Sequence, residues 1–444
     1  MNKNKIAKYF GLALLLSGCY ACEEAFEAQP LEYWEDPRFA TPVIEDEWNL
    51  QLMQTLEENV YVYKDKRYDA LFTRNLGWNG GDGVQTTELP DGNTFWTFND
   101  SFYGRVDGET RNRDGSLNKF PRNTIMVQTT GEDGKAGVSE ENLVWLADFI
   151  NTTDPESNLY YCARTHIRHP RATLSEAQIA AGEIDADYLY WAGDATVSNG
   201  KLQMLWNGVD NTDEKAQMKP MNTALAIYNI NGTPGDGSYL TIESVDHDKI
   251  PYNPYGYGGT LWEDEDGYTY LYGGFENYTP LVARAANNDL TSTWEYYVSD
   301  VNGNWEWTTQ YPDDVTAGYS GIASNLINRP WIIKDGDWYY MIGQGIWFSK
   351  TVFIMRAKTP WGPFTDNKEL FTTPSELDKL GVTTYQHTYM INLHPSLSYG
   401  DELVFTTNTD AKWEENFNAE GSADFYRPFF YRVYNWKSVY GFED

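Results

Sequence analysis

Residues 81–102 read GDGVQTTELPDGNTFWTFNDSF and carry the pattern that decides the fold. An alternating run leads into Pro90-Asp91-Gly92, and a second run rich in Phe and Trp follows. Because Asp-Gly supplies the positive-φ positions of a tight turn, this stretch predicts a β-hairpin. Four further stretches repeat the pattern with their own glycine-containing turns: GDATVSNGKLQMLWNGVD (193–210), GGTLWEDEDGYTYLYGGFEN (258–277), RPWIIKDGDWYYMIGQG (329–345) and HPSLSYGDELVFTTNTD (394–410).

A third apolar run follows most of these hairpins, at Thr124–Gln128, Ala224–Ile230, Leu281–Ala286, Thr351–Ala357 and Phe429–Tyr434. Hairpin-plus-strand units that recur at long, fairly regular intervals are typical of a β-propeller, because one unit cannot bury its apolar faces alone. We therefore predict an all-β chain with a five-bladed β-propeller over residues 77–444. Tandem β-sandwiches are the alternative.

The N-terminus predicts export. Met1–Lys8 is basic, Tyr9–Leu16 is apolar and too short to span a bilayer, and Leu16-Ser17-Gly18-Cys19 follows. The tetrapeptide resembles the lipobox of bacterial lipoproteins, in which the signal is cut before the Cys and the Cys is acylated. We expect lipidation at Cys19 and attachment to outer-membrane lipid, facing the cell exterior. An ordinary signal peptide is the alternative.

The segments before the propeller have their own predicted roles. Residues 1–18 are assigned to the signal peptide, and the acidic, Pro-containing residues 19–44 to a tether. Residues 45–76 are predicted to form an N-terminal extension with one helix, since apolar side chains lie roughly on one helical face at Leu50, Met53, Leu56 and Val60.

The composition of the chain limits the classes of ligand that it could bind. The net charge of −32 excludes a nucleic-acid partner and close binding to an anionic bilayer, and it suits a neutral or cationic ligand. Aromatic residues make up 16% of the chain, which fits β-cores and also raises the expectation of carbohydrate binding, since Trp and Tyr stack on sugars. No Cys/His cluster has zinc spacing, and no cofactor is expected to be required.

Polar side chains cluster at the hairpin ends. In a hairpin, the start of the first strand and the end of the second lie together, so the five hairpins direct a polar set to a single rim. The set is Asp82 with Asn99 and Asp100, Asp194 with Asn207 and Asp210, Glu276 with Asn277, Arg329 with Gln344, and His394 with Asn408 and Asp410. Glycosidic hydrolysis needs two carboxyl groups, one protonated and one ionised, and crowded carboxylates supply them. Arg329 could hold one ionised, and His394 could orient a hydroxyl, a water or a metal.

The spacing of these units, together with Ala357-Lys-Thr-Pro-Trp-Gly-Pro-Phe364, resembles the propeller glycosidases of glycoside hydrolase family 43. The opening GWNGGDGVQTTELPDGNTFWTFNDSF (77–102) is closer still to exported proteins grouped under the domains of unknown function 5005 and 4185. Some relatives of the latter are similar to endo-acting furanosidases. A structural Ca²⁺ at the propeller axis is compatible with this resemblance.

The resemblance to family 43 also implies roles for single residues. Asp82 matches the Asp that acts as base, and Asp194 matches the Asp that orients and tunes. Where the family has its acidic Glu, this chain has Tyr255–Gly259, and the nearest carboxylate at that rim is Glu276. This departure leaves the acid open.

Together these patterns predict a cell-surface glycoside hydrolase that cleaves a neutral, furanose-containing polysaccharide. The predicted catalytic residues are Asp82, Asp100, Asp194 and Glu276. The predicted substrate-binding residues are Trp78, Arg329, Gln344, His394 and Asn408. The alternatives are a surface glycan-binding protein without catalysis and a structural subunit of an outer-membrane glycan uptake complex.

Overall fold

The computed structural model describes residues 50–56, 59–151, 154–213, 218–235, 238–274, 278–300, 302–312, 321–346, 349–373, 387–410 and 420–441. In these ranges the chain is all-β with a few short helices, which confirms the predicted class. None of the helices in the described part is long and apolar enough to cross a membrane.

The described strands, numbered in chain order, alternate with short turns. They are β1 (Leu50–Thr55), β2 (Tyr61–Asp65), β3 (Leu76–Gly81), β4 (Gln85–Glu88), β5 (Thr94–Phe98), β6 (Ser101–Val106), β7 (Arg113–Lys119), β8 (Thr124–Gln128), β9 (Leu143–Trp145), β10 (Phe149–Asn151), β11 (Cys162–Ala163), β12 (Tyr188–Ser198), β13 (Lys201–Asp210), β14 (Lys219–Ile230), β15 (Leu240–Ile250), β16 (Thr260–Glu263), β17 (Tyr268–Gly273), β18 (Leu281–Ala286), β19 (Trp294–Ser299), β20 (Trp305–Thr308), β21 (Asn328–Asp335), β22 (Trp338–Gln344), β23 (Thr351–Ala357), β24 (Thr365–Thr372), β25 (His387–Leu393), β26 (Glu402–Asp410) and β27 (Pro428–Tyr434).

Helices in the described part are short. The α-helices are α1 (Lys66–Leu71) and α2 (Glu176–Ala180), and the 3-10 helices are Glu140–Asn142, Pro395–Leu397, Ser422–Asp424 and Trp436–Tyr440. Ser175 caps α2 in a capping box with Gln178.

Within the described residues, five antiparallel sheets have four or five strands each, and two are smaller. The larger sheets have the orders β4-β5-β8-β9, β12-β13-β14-β15, β16-β17-β18-β19-β20, β21-β22-β23-β24 and β25-β26-β27-β2-β1, and the smaller ones are β3-β6-β7 and β10-β11. Each larger sheet contains one of the five predicted hairpin regions. Asn199 and Gly200 both have positive φ at the β12–β13 turn, as the Asn-Gly pair predicts.

The first strands of the larger sheets are adjacent to one another. We call β4, β12, β16, β21 and β25 the central strands. Contacts run from β4 to β12, β16, β21 and β25 in turn, and Asn392 in β25 donates a hydrogen bond to the Val84 carbonyl beside β4 at 2.8 Å. The sheets therefore surround a common centre, which is how the sheets of a β-propeller are arranged.

The N-terminal extension differs from its prediction. Residues 50–55 and 61–65, where the apolar spacing predicts the helix, form strands β1 and β2, and the helix within residues 45–76 is α1 at Lys66–Leu71. Strand β2 pairs with β27, with Tyr61 opposite Tyr434. The helical spacing of Leu50, Met53, Leu56 and Val60 is a coincidence, because tertiary pairing and the β-favouring run Tyr61-Val62-Tyr63 override it. The folded domain thus includes residues from Leu50 onward rather than beginning at residue 77.

The fifth hairpin is also displaced from its prediction. Its central strand is β25, which ends before His394, and Pro395–Leu397 forms a 3-10 turn that leads to β26. His387 pairs with Asp410, whereas Leu393 pairs with Phe405. His394 therefore lies at the opposite end of this sheet from Asn408 and Asp410. We call the end at which the central strands begin the site end.

Candidate active site

β-bulges direct side chains at the site end toward the centre. The central strands shift register at Ala192 to Ala195 in β12, Asn328 to Trp331 in β21, and Tyr389 to Asn392 in β25. Asp194 and Arg329 are residues inside these bulges, and Arg329 has the left-handed φ of +54°. Bulges re-aim side chains beside active sites, and a non-Gly residue in this φ region is held there by its surroundings.

Asp82 lies just before β4 and is buried, with only 6% of its surface exposed. Its main-chain N–H donates to the Asp100 carbonyl at 3.2 Å, so the two residues are neighbours across the hairpin. Its Oδ2 accepts hydrogen bonds from the hydroxyls of Tyr389 and Tyr426, each at 2.7 Å. Its Oδ1 is buried and has no hydrogen-bond partner among the described residues. An unsatisfied buried oxygen of this kind indicates a place for a ligand or water.

Asp100 has an ionic partner. The Arg122 guanidinium contacts both carboxylate oxygens, with Nη2 at 3.0 Å from Oδ2 and Nε at 2.9 Å from Oδ1. Trp191 donates its indole N–H to Oδ1 at 3.3 Å. Burial raises the pKa of Asp100 above its ordinary value, and Arg122 and then Trp191 offset only part of this rise. Of the two neighbouring carboxyls, Asp82 and Asp100, the one held ionised is therefore Asp100, because a forked guanidinium favours the charged form of a carboxyl.

Asp82 has the opposite electrostatics. Its pKa is raised to about 7, first by burial and then by the charge of Asp100. The two tyrosine hydroxyls and the Arg329 charge lower this pKa but do not restore the ordinary value. Near neutral pH Asp82 therefore exchanges a proton beside an ionised neighbour, which is the condition for acid/base chemistry between two carboxyls.

Asp194 is fixed by the main chain. Its Oδ1 accepts from the N–H of Ala195 at 2.9 Å and its Oδ2 from the N–H of Leu261 at 2.8 Å, which ties β12 to β16. Burial raises its pKa to about 7, and Arg329 lowers it. Arg329 interacts electrostatically with both Asp82 and Asp194, although burial lowers its own pKa. Its Nη1 is buried without a hydrogen-bond partner among the described residues. The structure thus brings Asp82, Asp100, Asp194 and Arg329 together.

Several residues of this site were not predicted from the sequence. Tyr389 pairs with Asn408 across β25 and β26. A prediction that placed the first strand of the fifth hairpin before His394, rather than after it, would have included Tyr389. Tyr426 lies in the segment between β26 and β27, and its carbonyl accepts from the Gly81 N–H at 3.1 Å. Arg122 and Trp191 have no motif of their own, because a loop and a strand far apart in sequence bring them to Asp100.

Comparison of the sequence with known protein families assigns this chain to one family. The family model "Domain of unknown function (DUF5005)" matches residues 65–436. The chain belongs to the DUF5005 family. This confirms the resemblance seen in residues 77–102. A comparison with curated proteins finds no significant match.

Solved structures resemble the DUF5005 chain to different degrees. A crystal structure from Bacteroides ovatus, described as that of a proposed hydrolase, is 55% identical, covers 91% of this chain and 98% of its own, and has a TM-score of 0.84. A GH43_1 enzyme from Xanthomonas citri is 12% identical over 82% of this chain and 88% of its own, with a TM-score of 0.42. An α-L-arabinanase from Cellvibrio cellulosa complexed with arabinohexaose is 13% identical over 80% and 91%, with a TM-score of 0.39.

Four side chains predicted to bind substrate in the DUF5005 chain lie in its interior instead. Trp78 packs in a hydrophobic cluster and stacks on Trp145 at 5.2 Å between ring centroids. Gln344 donates to the Ser349 carbonyl at 2.6 Å, and its oxygen accepts from the Ile391 N–H. Asn408 is fully buried and donates to the Gly81 carbonyl at 2.8 Å. These three are corrected to structural roles.

His394 is the fourth of these corrections. It is fully buried between the hydroxyls of Thr86 at 3.1 Å and Thr406 at 2.8 Å, beside the Trp96 ring. Burial lowers the pKa of His394 to about 3, so it stays neutral. Its place at the end opposite the carboxylates excludes contact with a substrate there.

Other predicted rim residues are placed differently. Asn207 accepts from the Thr223 hydroxyl at 2.9 Å, and Asp210 pairs with Tyr188, away from Asp194. This difference arises because the central strand β12 begins at Tyr188, before residue 193, so Asp210 and Asn207 pair with residues ahead of Asp194. Glu276 and Asn277 lie outside the described residues.

The described residues do not fit a structural Ca²⁺ at the axis. Ca²⁺ prefers six to eight oxygen ligands, often from carboxylates. His394 faces hydroxyls and aromatic rings, and the carboxylates of Asp82 and Asp194 already face the Arg329 cation. In the described ranges there is no group of three or more His, Cys, Asp or Glu side chains that could hold a metal ion.

Proposed function

We propose that this DUF5005 protein is a glycoside hydrolase that acts on a neutral oligo- or polysaccharide at the centre of a five-bladed propeller. The observation that carries the proposal is Asp82, a buried carboxyl with one unpartnered oxygen and a raised pKa, next to Asp100 held ionised by Arg122. The 55% identical relative, described as a proposed hydrolase, supports the reaction class.

In the proposed reaction Asp82 is the general base. Its free Oδ1 takes a proton from a water as the water oxygen bonds to the anomeric carbon. The bond from that carbon to the leaving oxygen breaks at the same time, and an acid delivers a proton to this oxygen. The sequence suggests Glu276 as that acid. Tyr389 and Tyr426 hold Oδ2 and leave Oδ1 directed to the water.

The remaining charged residues position this base. Arg329 faces both Asp82 and Asp194, and Asp194 is itself fixed by two main-chain N–H groups. Arg329 favours the ionised form of Asp82 and so makes a base available near neutral pH.

The net charge of −32 favours a neutral glycan over an acidic one. Furanose-containing polysaccharides are the first to test because of the resemblance in residues 77–102 to families with furanosidase relatives.

A surface glycan-binding protein is the second candidate. It is favoured by the third sheet, where Tyr255, Tyr257 and glycines stand at the position at which the family 43 resemblance expects a Glu. In this case sugar binding would depend on aromatic residues and not on proton transfer.

The experiment that separates the two candidates is a polysaccharide screen with reducing-end detection, run with wild type, Asp82→Asn and Asp91→Asn. Asp91 is an exposed aspartate at the other end of the same hairpin and serves as the matched control. We expect Asp82→Asn to lose two to four orders of magnitude in kcat, because the amide cannot exchange a proton. Asp91→Asn should keep its turnover. No hydrolysis by the wild type, with binding intact, would favour the glycan-binding candidate. Equal turnover in all three proteins would show that Asp82 is not the base.

We also propose that the protein is lipidated at Cys19 and held at the outer membrane, facing outward, where it could work beside a glycan uptake complex. The lipobox-like Leu16-Ser17-Gly18-Cys19 supports this placement. Cys19→Ala should abolish lipid labelling and release the protein from the membrane fraction. Full membrane retention of this variant would contradict the proposal.

A further inference from the structure

A second pocket lies at the outer part of the β12–β15 sheet. It has a volume of about 670 Å³, within the range of small-molecule sites. It is lined by the loop at residues 169–171, the end of β13, the start of β14 and the segment from His247 to Tyr252. None of the residues of the Asp82 site lines it.

The pocket has a preorganised inner wall. Asn222 donates from its side-chain nitrogen to the Tyr190 hydroxyl at 2.9 Å, and its Oδ1 accepts from Nε2 of His169 at 2.9 Å. The Tyr190 hydroxyl in turn lies 3.0 Å from Nδ1 of His247. Asn222 and His169 are buried, so this wall keeps its shape without a ligand. A preorganised wall reduces the entropy lost when a ligand binds.

The outer wall is exposed and aromatic. Tyr252 is 58% exposed, which makes it an unusually accessible large side chain in this molecule. On the facing side, Arg171 lies over the Tyr188 ring at 4.3 Å and donates to its hydroxyl at 2.9 Å. A flat, exposed phenol beside hydrogen-bonding groups is suited to the mixed apolar and polar faces of a sugar ring.

The charges of the pocket are balanced. Arg171 and Lys219 lie near enough to Asp210 to interact with it electrostatically, and Asp248 adds a second carboxylate. Paired donors and acceptors of both signs recognise hydroxyl groups, and they give no preference for an anion or a cation.

The pocket lies at the site end of the molecule. Asp210 ends β13 and pairs with Tyr188 at the start of the central strand β12, and Lys219 begins β14. On β12, Trp191 donates to Asp100 in the carboxylate site, while the preceding Tyr190 contacts Asn222 and His247 in the second pocket. One strand therefore separates the two sites, and an extended chain could occupy both.

We propose that this pocket, with Tyr252, Arg171, Lys219 and Asp248 as its exposed contacts, is a distal binding subsite for a neutral oligosaccharide chain that extends from the carboxylate site. The subsite rests on the proposed function for the identity of its ligand. It increases the affinity for long chains and takes no part in the chemical step.

The test uses the full-length protein carrying Asp82→Asn, which prevents turnover, in native affinity gels containing arabinan, xylan or another neutral polysaccharide of the screen. Tyr252→Ala and Lys219→Ala are added separately. Tyr399→Ala is the matched control, since Tyr399 is also an exposed tyrosine, 38% accessible, but lies at the opposite end of the sheets. Both pocket residues are exposed, so these variants should fold, and thermal unfolding checks this.

We expect Tyr252→Ala to weaken retardation by the polysaccharide at least threefold, Lys219→Ala to weaken it less, and Tyr399→Ala to leave it unchanged. In the active enzyme, Tyr252→Ala should raise KM for the polymer and leave kcat unchanged. Equal retardation of the Tyr252→Ala and Tyr399→Ala proteins, or no retardation in any gel, would overturn the subsite. Retardation that depends on Tyr252 without any hydrolysis by wild type would contradict the proposed hydrolase alone.

Discussion

Arg432 and Arg329 each lie between two acidic side chains, and the two arrangements differ in how the cation is paired. Arg432 donates from Nε to Asp65 at 2.7 Å and from Nη1 to Glu402 at 2.6 Å, and all three residues are buried. Arg329 faces Asp82 and Asp194 but has a buried Nη1 without a partner among the described residues. Burial lowers the pKa of both arginines, but in Arg432 the partners Glu402 and Asp65 raise it by more, whereas in Arg329 burial dominates.

The difference indicates two uses of a cation placed between carboxylates. The Arg432 cluster joins β27 to Asp65 at the end of β2, so it connects the N-terminal strands to the last sheet. Its cation donates a hydrogen bond directly to each carboxylate, which suits a structural joint, although Oε2 of Glu402 has no hydrogen-bond partner among the described residues and burial raises the pKa of Glu402. In the Arg329 cluster the cation itself has an unmatched Nη1, and the pKa values of both carboxyls, Asp82 and Asp194, are raised to about 7; such groups are concentrated at functional sites.

The largest effect on folding is expected from Arg432→Leu. Removing the cation leaves Asp65 and Glu402 buried without compensation, which should cost about 3–5 kcal/mol of unfolding free energy. Urea unfolding followed by tryptophan fluorescence measures this cost. A decrease of less than about 1 kcal/mol in the unfolding free energy would mean that the pairing of β2 with β27 does not depend on the Arg432 cluster.

We expect Arg329→Leu to change the pH dependence of activity more than the stability, the reverse of Arg432→Leu. We expect a change of at most about 1 kcal/mol in stability, because an arginine with an unmatched Nη1 is removed and its two acidic neighbours can take up protons. The pKa of Asp82 should rise when the cation is lost, so the acid limb of the pH–activity profile should move to higher pH by about one unit. Equal stability losses in Arg329→Leu and Arg432→Leu would contradict the distinction between the two clusters.

Tyr426→Phe should have the smallest effect. It removes one of two hydroxyl donors to Oδ2 of Asp82, so the pKa of Asp82 should rise by less than about one unit and activity should fall several-fold at pH 6 but recover at pH 9. Tyr239→Phe is the matched control, because the Tyr239 hydroxyl donates to Asp91 at 2.6 Å in an equivalent bond away from the site. The same pH shift in both variants would rule out a specific role for Tyr426.

Local patterns made much of this arrangement predictable. Turn residues such as Asn199-Gly200 locate the hairpins, and the geometry of a hairpin places Asp82 beside Asp100 without further information. Arg329 and Asp194 were also assigned to the site end. The bulges that aim them could not be foreseen, because a bulge depends on pairing with the next strand.

Long-range contacts account for what the sequence did not reveal. Tyr426 and Arg122 reach the carboxylates from loops, and β2 pairs with a strand more than 350 positions later. The burial of His394 and Trp78 likewise depends on strands from other parts of the chain. Residue type alone suggested binding for both, whereas their surroundings give them structural roles.

The most direct test of the account measures how Asp82 couples stability to pH. With its pKa raised from 3.8 to about 7, the native state keeps a proton that the unfolded state has lost, so wild-type stability should decrease as pH rises through this window. Unfolding free energies of wild type and Asp82→Asn, measured in urea at pH 5, 6, 7 and 8, isolate this effect because every other titrating group is shared. The account predicts that the unfolding free energy of Asp82→Asn, relative to that of wild type, increases by about 1.4 kcal/mol per pH unit up to about pH 7 and is constant above it. A difference that stays constant from pH 5 to 8 would show that Asp82 ionises like an ordinary carboxyl and would contradict its role as the proton-transfer group.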